Sequence, residues 1–165
     1  MSEKQDTSGA AAPARTAGIT VAPPVQYIHH LKFPVADLDR SVTWYEQVFG
    51  AEVLTKMTHK DDNGNVYAKV LQIPGFQPMV ELWISAGSAK AQAGYDFLTL
   101  AVRDRAALGS WSNRLDDLAI AHSEILTAID SWLLVVEDPD GHRMRFYSLE
   151  EHPITHDFST DKRWL

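Results

Sequence analysis

The sequence predicts an α+β fold made of two tandem βαβββ modules. Three observations carry that prediction. The hydrophobic period switches from two to about 3.6 and back, and does so twice in the same order. The halves align at a constant offset of 67 residues, which places Leu31 on Leu98, Phe33 on Leu100, Val35 on Val102, Asp37 on Asp104 and Trp44 on Trp111. Clusters of turn residues, Asp61-Asp62-Asn63-Gly64, Pro74-Gly75 and Asp138-Pro139-Asp140-Gly141, punctuate the strand-like runs.

The elements follow in order. In residues 27–35, Tyr27, His29, Leu31, Phe33 and Val35 share one face and Ile28, His30 and Lys32 the other, as in a half-buried strand. Asp37 is placed to cap a helix whose apolar positions, Leu38, Val42, Tyr45, Val48 and Phe49, recur at helical spacing. Gly50 is placed to stop it. Strands at 52–58, 66–73 and 79–84 complete the first module, residues 25–85. Residues 86–94 are small and read as a linker. The second module, 95–150, repeats the order: a strand at 97–102, a cap at Asp104, a helix carrying Leu108, Trp111, Leu115 and Leu118, and strands at 123–128, 132–137 and 143–148. Residues 1–24, rich in Ala, Ser, Thr, Gly and Pro, are expected to be a disordered tail. Residues 151–165 form a C-terminal extension.

Composition narrows the function classes. Of 165 residues, 45% are hydrophobic and 22% charged, an ordinary globular balance. No apolar run approaches the roughly 20 residues of a membrane-spanning helix. The absence of cysteine excludes a disulfide framework, a zinc–thiolate site and a Cys nucleophile. Fifteen basic residues against 22 acidic ones give a net charge of −7, and the basic residues are scattered, so neither nucleic acid nor a membrane surface is expected as partner. The tail has no apolar secretory core, and a cytoplasmic location is expected. No nucleophile elbow, P-loop or dinucleotide fingerprint occurs.

Residues 30–41 (HLKFPVADLDRS), the pairs Trp44-Tyr45 and Phe49-Gly50, Glu81-Leu82 and the DPDG turn at 138–141 together resemble the vicinal oxygen chelate superfamily, which includes glyoxalases, extradiol dioxygenases and bleomycin-resistance proteins. The resemblance covers residues 25–150. It implies that eight strands curl into one cup-shaped mixed sheet with the helices outside. It also implies metal ligands on the first and last strands of each half, at the positions of His30, Glu81, Phe97 and Arg145. Phenylalanine has no donor atom and a guanidinium stays protonated, so two of the four cannot ligate a cation. His30 and Glu81 alone fall short of the three protein ligands that a catalytic divalent ion normally takes. The expectation is a protein without a metal cofactor. The alternative is Fe, Mn, Ni or Zn on His30 and Glu81, with Asp96 as a further ligand if the fifth strand slips by one residue and turns Asp96 inward in place of Phe97.

Period two assigns the lining of such a cup. His30 and Lys32 face inward from the first strand, Met79, Glu81 and Trp83 from the fourth, Phe97, Thr99 and Ala101 from the fifth, and Arg143, Arg145 and Tyr147 from the eighth. Glu81 and Arg145 are expected to pair, tying strands four and eight together. Trp83, Phe97 and Tyr147 offer stacking surface, and Arg145 and His30 can meet an anionic or phenolic group. Trp44 and Trp111 belong to the core and His29 to its edge. His142 is expected to be exposed after its turn, and Asp138 and Asp140 to serve that turn alone. The expected function is binding of a small organic molecule, planar, aromatic and neutral or anionic, by a homodimer similar to bleomycin-resistance-type sequestration proteins. The alternative is a glyoxalase- or dioxygenase-like enzyme (lyase, isomerase or dioxygenase), either metal-dependent or using His30 as acid–base beside Glu81 and Arg145.

Overall fold

Alternating residues commit the chain to strand β1 (His30–Val35), and Asp37 then starts helix α1 (Leu38–Phe49) in the computed structural model, which describes residues 22–157, 159, 161, 163 and 164. The predicted tail lies outside the described residues up to position 21. The Asp37 carboxylate accepts the Arg40 backbone N–H at 3.0 Å, and Gly50 ends the helix in the left-handed region with φ 63°. The predicted strand at 52–58 is broken in two. Strands β2 (Glu52–Val53) and β3 (His59–Lys60) flank a 3₁₀ turn (Thr55–Met57), because the amides of Met57 and Thr58 bond back to Leu54 and Thr55 instead of joining a ladder. Strands β4 (Val66–Gln72) and β5 (Met79–Ile84) follow.

The linker is not extended chain. It carries helix α2 (Ala86–Gln92), where alanine, lysine and glutamine favour helix and no β-branched residue or proline opposes it. In the second module, β6 (Asp96–Val102) leads to α3 (Arg105–Asp117), capped by Asp104, whose carboxylate accepts the Ala107 N–H at 2.8 Å. Strand β7 (Leu126–Thr127) is shorter than the predicted 123–128, since the Ser123 hydroxyl oxygen takes the Val135 amide and interrupts the ladder. Strands β8 (Trp132–Glu137) and β9 (Arg143–Ser148) complete the module.

The strands form two hydrogen-bonded sheets rather than one continuous sheet. One runs β1-β5-β4-β2, with β3 also on β4, and the other β6-β9-β8-β7. Each module opens with the same parallel pair, β1 with β5 and β6 with β9, and continues antiparallel. The duplication is therefore one of topology as well as sequence. β1 and β6 are the outermost strands of their sheets. No helix among the described residues is long and apolar enough to cross a membrane.

One core joins the modules, as two units of this size require. Phe33, Val35, Val80 and Leu82 from the first sheet and Leu134, Val136, Met144 and Phe146 from the second share a cluster with α1 and with Leu108 and Leu115 of α3. Trp44 is buried and Trp111 partly so, the latter stacked on Phe146 with ring centroids 4.3 Å apart. The DPDG turn clasps α1. Asp140 accepts hydrogen bonds from the Ala36 amide (3.1 Å), Arg40 Nη2 (2.7 Å) and the Ser41 hydroxyl (3.1 Å). Asp138 accepts from the Tyr45 hydroxyl at 3.4 Å and pairs with His142 Nδ1 at 2.9 Å. His142 is thus fully buried, not exposed: the turn packs against α1 and takes the following residue inside. His29, by contrast, is exposed and precedes β1, because pairing starts one residue later.

Candidate functional site

Each sheet has one face on the core and one open face, and register decides which residues meet on the open side. In the parallel pair β1/β5, His30 lies beside Met79, Lys32 beside Glu81 and Pro34 beside Trp83. Glu81 is only 4% exposed, a costly position for a carboxylate without counter-charge. Its Oε1 lies 2.8 Å from Lys32 Nζ and its Oε2 3.5 Å from His30 Nε2. The ammonium also sits 5.3 Å from the Trp83 ring centroid, a cation–π contact. His30 turns its Nδ1 toward His29 Nδ1, 2.9 Å away. His30, Lys32, Met79, Glu81 and Trp83 thus come together as predicted.

On the second sheet the register shifts between Asp96 and Leu98, so that Asp96 pairs with Arg143 and Leu98 with Met144. Phe97 is the extra residue of this bulge; its side chain lies outside the described residues. The bulge turns Asp96 onto the open face, where its carboxylate accepts from Arg145 Nε in an ion pair, each side chain about a quarter exposed. This corrects the expected Glu81–Arg145 pair: each charge finds its partner within its own sheet. Arg143 is engaged by Glu137 at 3.0 Å and by the Arg163 carbonyl at 2.6 Å. The Tyr147 hydroxyl donates to Asp130 at 3.3 Å, and burial with the nearby Asp130 charge raises its phenol above the usual range. Thr99, beside Arg145 in register, and Ala101 are exposed.

Trp164 also packs against the second sheet, and no period marks it. It lies beyond the last strand yet is 4% exposed, packed on Leu126, Leu133 and Val135 with Ala128 and Tyr147 alongside. The segment leading to it runs past β7, where the amides of His152, Thr155 and Ser159 donate to the carbonyls of Asp130, Ile129 and Thr127. The extension also holds Ile154, Phe158 and Leu165, so composition alone does not single out Trp164.

The donor chemistry does not fit a catalytic divalent ion. His30 and Glu81 offer two donors, an ammonium already neutralises Glu81, and Arg145 brings positive charge where the resemblance implies a carboxylate. Asp96 is turned by the bulge onto the open face, as the metal alternative expects, but is held there by Arg145. Among the described residues no group of three or more His, Asp or Glu could hold a metal ion. On the opposite, core side of the sheets a cavity of about 390 Å³ opens between the modules, lined chiefly by Phe33, Phe49, Phe76, Trp111, Met144 and Phe146. Of the predicted lining residues whose side chains are described, only Thr99 and Ala101 border it.

Comparison with known proteins places this arrangement. The model of the Glyoxalase/Bleomycin resistance protein/Dioxygenase superfamily matches residues 27–146. Metallothiol transferase FosB of Lysinibacillus sphaericus (strain C3-41) is 27% identical over 135 residues, which span 75% of this chain and 83% of that protein. The fosfomycin resistance protein FosX from Listeria monocytogenes superposes with a TM-score of 0.61 at 12% identity, covering 76% of this chain and 94% of the other. TnmS3, an antibiotic binding protein from Streptomyces sp. CB03234, gives a TM-score of 0.61 at 16% identity, covering 77% and 98%. At these identities the two solved structures share the fold alone.

Proposed function

The chain belongs to the glyoxalase/bleomycin resistance protein/dioxygenase superfamily, and we propose that within it this protein binds a small, planar aromatic molecule, neutral or anionic, without a metal ion. The observation that carries the reading is the Arg145–Asp96 pair on the open face of the second sheet. Asp96 engages Nε, and the guanidinium's terminal nitrogens can form the two parallel hydrogen bonds that suit a carboxylate or sulfonate. Its partial exposure keeps it within reach, and Asp96 fixes its plane. Thr99 beside it adds a hydroxyl, and Trp83 and Tyr147 add aromatic surface on the two open faces. An antibiotic-binding protein of the same fold supports a binding role.

The test is a thermal-shift screen of aromatic acids and phenols, followed by calorimetry on the best hit. Arg145→Ala should weaken that hit by about tenfold or more, the usual loss for a charge-assisted contact. An unchanged affinity removes Arg145 from the site. Near-stoichiometric Fe, Mn, Ni or Zn in untagged protein defeats the metal-free part.

A second reading, catalysis, is favoured by the position of His30 against a buried carboxylate, the geometry that orients a general base. It requires turnover of the bound hit and loss of turnover in His30→Asn. We also propose a homodimer, since β1 and β6 each leave an outer edge that a second copy can cover. Sedimentation equilibrium decides that point.

A further inference from the structure

We propose that the open face of the second sheet contains a subsite for an aromatic ring, and that Trp164 of the chain's own C-terminal segment is its resting occupant. The proposal rests on the small-molecule reading above and adds where the ring sits and what holds the place until it arrives.

The seat is built from Leu126, Leu133 and Val135, with Ala128 and Tyr147 alongside, and forms an apolar cluster separate from the main core. Main-core packing therefore does not account for it. It adjoins the anion-binding group, since Val135 is the cross-strand partner of Arg145. An aromatic ring in the seat that bears a carboxylate or sulfonate can therefore reach the guanidinium from the same face. Trp164 fills the seat with an indole that is 4% exposed. A residue that received a ligand by stacking would need a free ring face, and this one has almost none. The indole thus stands where a ligand ring would stand.

The means of release is also present. Residues 151–164 lie beyond residues 27–146, the part of the chain that the family model matches. The segment is tethered by hydrogen bonds that the His152, Thr155 and Ser159 amides donate, by the Ser159 hydroxyl oxygen accepting the Thr127 amide at 2.8 Å, and by the Arg163 carbonyl accepting from Arg143. Arg163 also lies over the Trp164 ring, 4.7 Å from its centroid. Displacing the indole frees the seat and parts Arg143 from the Arg163 carbonyl, leaving its ion pair with Glu137 in place.

A ligand that must evict Trp164 binds with its intrinsic affinity reduced by the fraction of open seats. The probe is 2-naphthoate, a planar aromatic carboxylate, titrated calorimetrically into the full chain and its variants. Trp164→Ala should bind it about tenfold tighter or more, Trp164→Phe should stay near the parent, and adding Arg145→Ala to Trp164→Ala should abolish the gain. In the parent chain, saturating naphthoate should speed hydrogen exchange at the Thr155 and Ser159 amides, a readout that needs no variant to fold. Binding that is equal in the parent and Trp164→Ala, or that leaves those amides unmoved, overturns the subsite while the small-molecule reading stands. Weaker binding in Trp164→Ala makes the indole a wall of the site and overturns it as well. A tenfold gain that survives loss of Arg145 keeps the subsite and defeats the guanidinium as anchor. No binding to either protein overturns the subsite.

Discussion

Asp140→Ala tests whether the DPDG turn holds the two modules together. Asp140 sits in the β8–β9 turn of the second module, and its carboxylate serves three donors at the start of α1 in the first. The Ala36 amide and the half-exposed Arg40 guanidinium can turn to water when the carboxylate is gone. The Ser41 hydroxyl cannot, because Ser41 is fully buried. Stranding one buried hydroxyl costs about 1–3 kcal/mol, so the expected loss is about 2 kcal/mol. For a chain of this length that lowers Tm by about 4–8 °C. Urea unfolding should show a lower midpoint with an unchanged slope, since the surface exposed on unfolding does not change. Ser41→Ala removes the stranded group, so Ser41→Ala with Asp140→Ala should lose less than the sum of the two single changes. A loss under about 0.5 kcal/mol, as at an ordinary surface site, or strict additivity with Ser41→Ala, refutes the clasp.

Two predictions concern pH. Burial and the adjacent Asp138 raise the Tyr45 phenol well above 10.0, so the folded chain keeps a proton that the unfolded chain releases. Its stabilising share is whole below the unfolded value and is lost as pH rises beyond it; Tyr45→Phe should therefore flatten the decline in urea midpoint between about pH 8 and pH 11, and an unchanged decline refutes the assignment. The Arg103 guanidinium and the Ala107 amide hold the Asp104 carboxyl below its usual range. That contribution is present above the unfolded value and is lost as pH falls through the folded one. Asp104→Asn keeps the cap but not the charge, so the parent should lose its advantage over the variant on acidification; a gap that is the same at neutral and acid pH counts against it.

The order of elements was legible because each start carries its own chemistry: alternation in β1, Asp37 and Asp104 as caps, and Gly50 as a left-handed stop. The facing of side chains was legible wherever a strand stays regular, which is why Lys32, Glu81 and Trp83 gather as period two requires. It failed where local bonds compete with the ladder. The 3₁₀ turn after β2 and the Ser123 hydroxyl at Val135 each divert backbone groups by contacts that hydrophobic patterning does not encode. His142 follows a turn, the usual address of a surface residue, and is buried only because a helix from the other module covers that turn. Trp164 was invisible for a related reason, since its seat is assembled from β7, β8 and β9 and has no local signature.

The bulge at Phe97 and the arginine at position 145 belong to one electrostatic solution. In an unbroken strand, Asp96 would share a face with Leu98 and Leu100, and its carboxylate would point into the apolar core beside Met144. An unpaired charge there costs several kcal/mol, more than a local break in a ladder. Inserting one residue rotates Asp96 onto the face of Arg145, where the two charges offset each other at partial exposure. Glu81 is balanced by Lys32 and Asp96 by Arg145, so both carboxylates already have a cationic partner. A face made of balanced pairs gains little from a divalent ion. Under the binding proposed above, it gains from a ligand whose anion shares the guanidinium and whose ring covers the apolar strip alongside it.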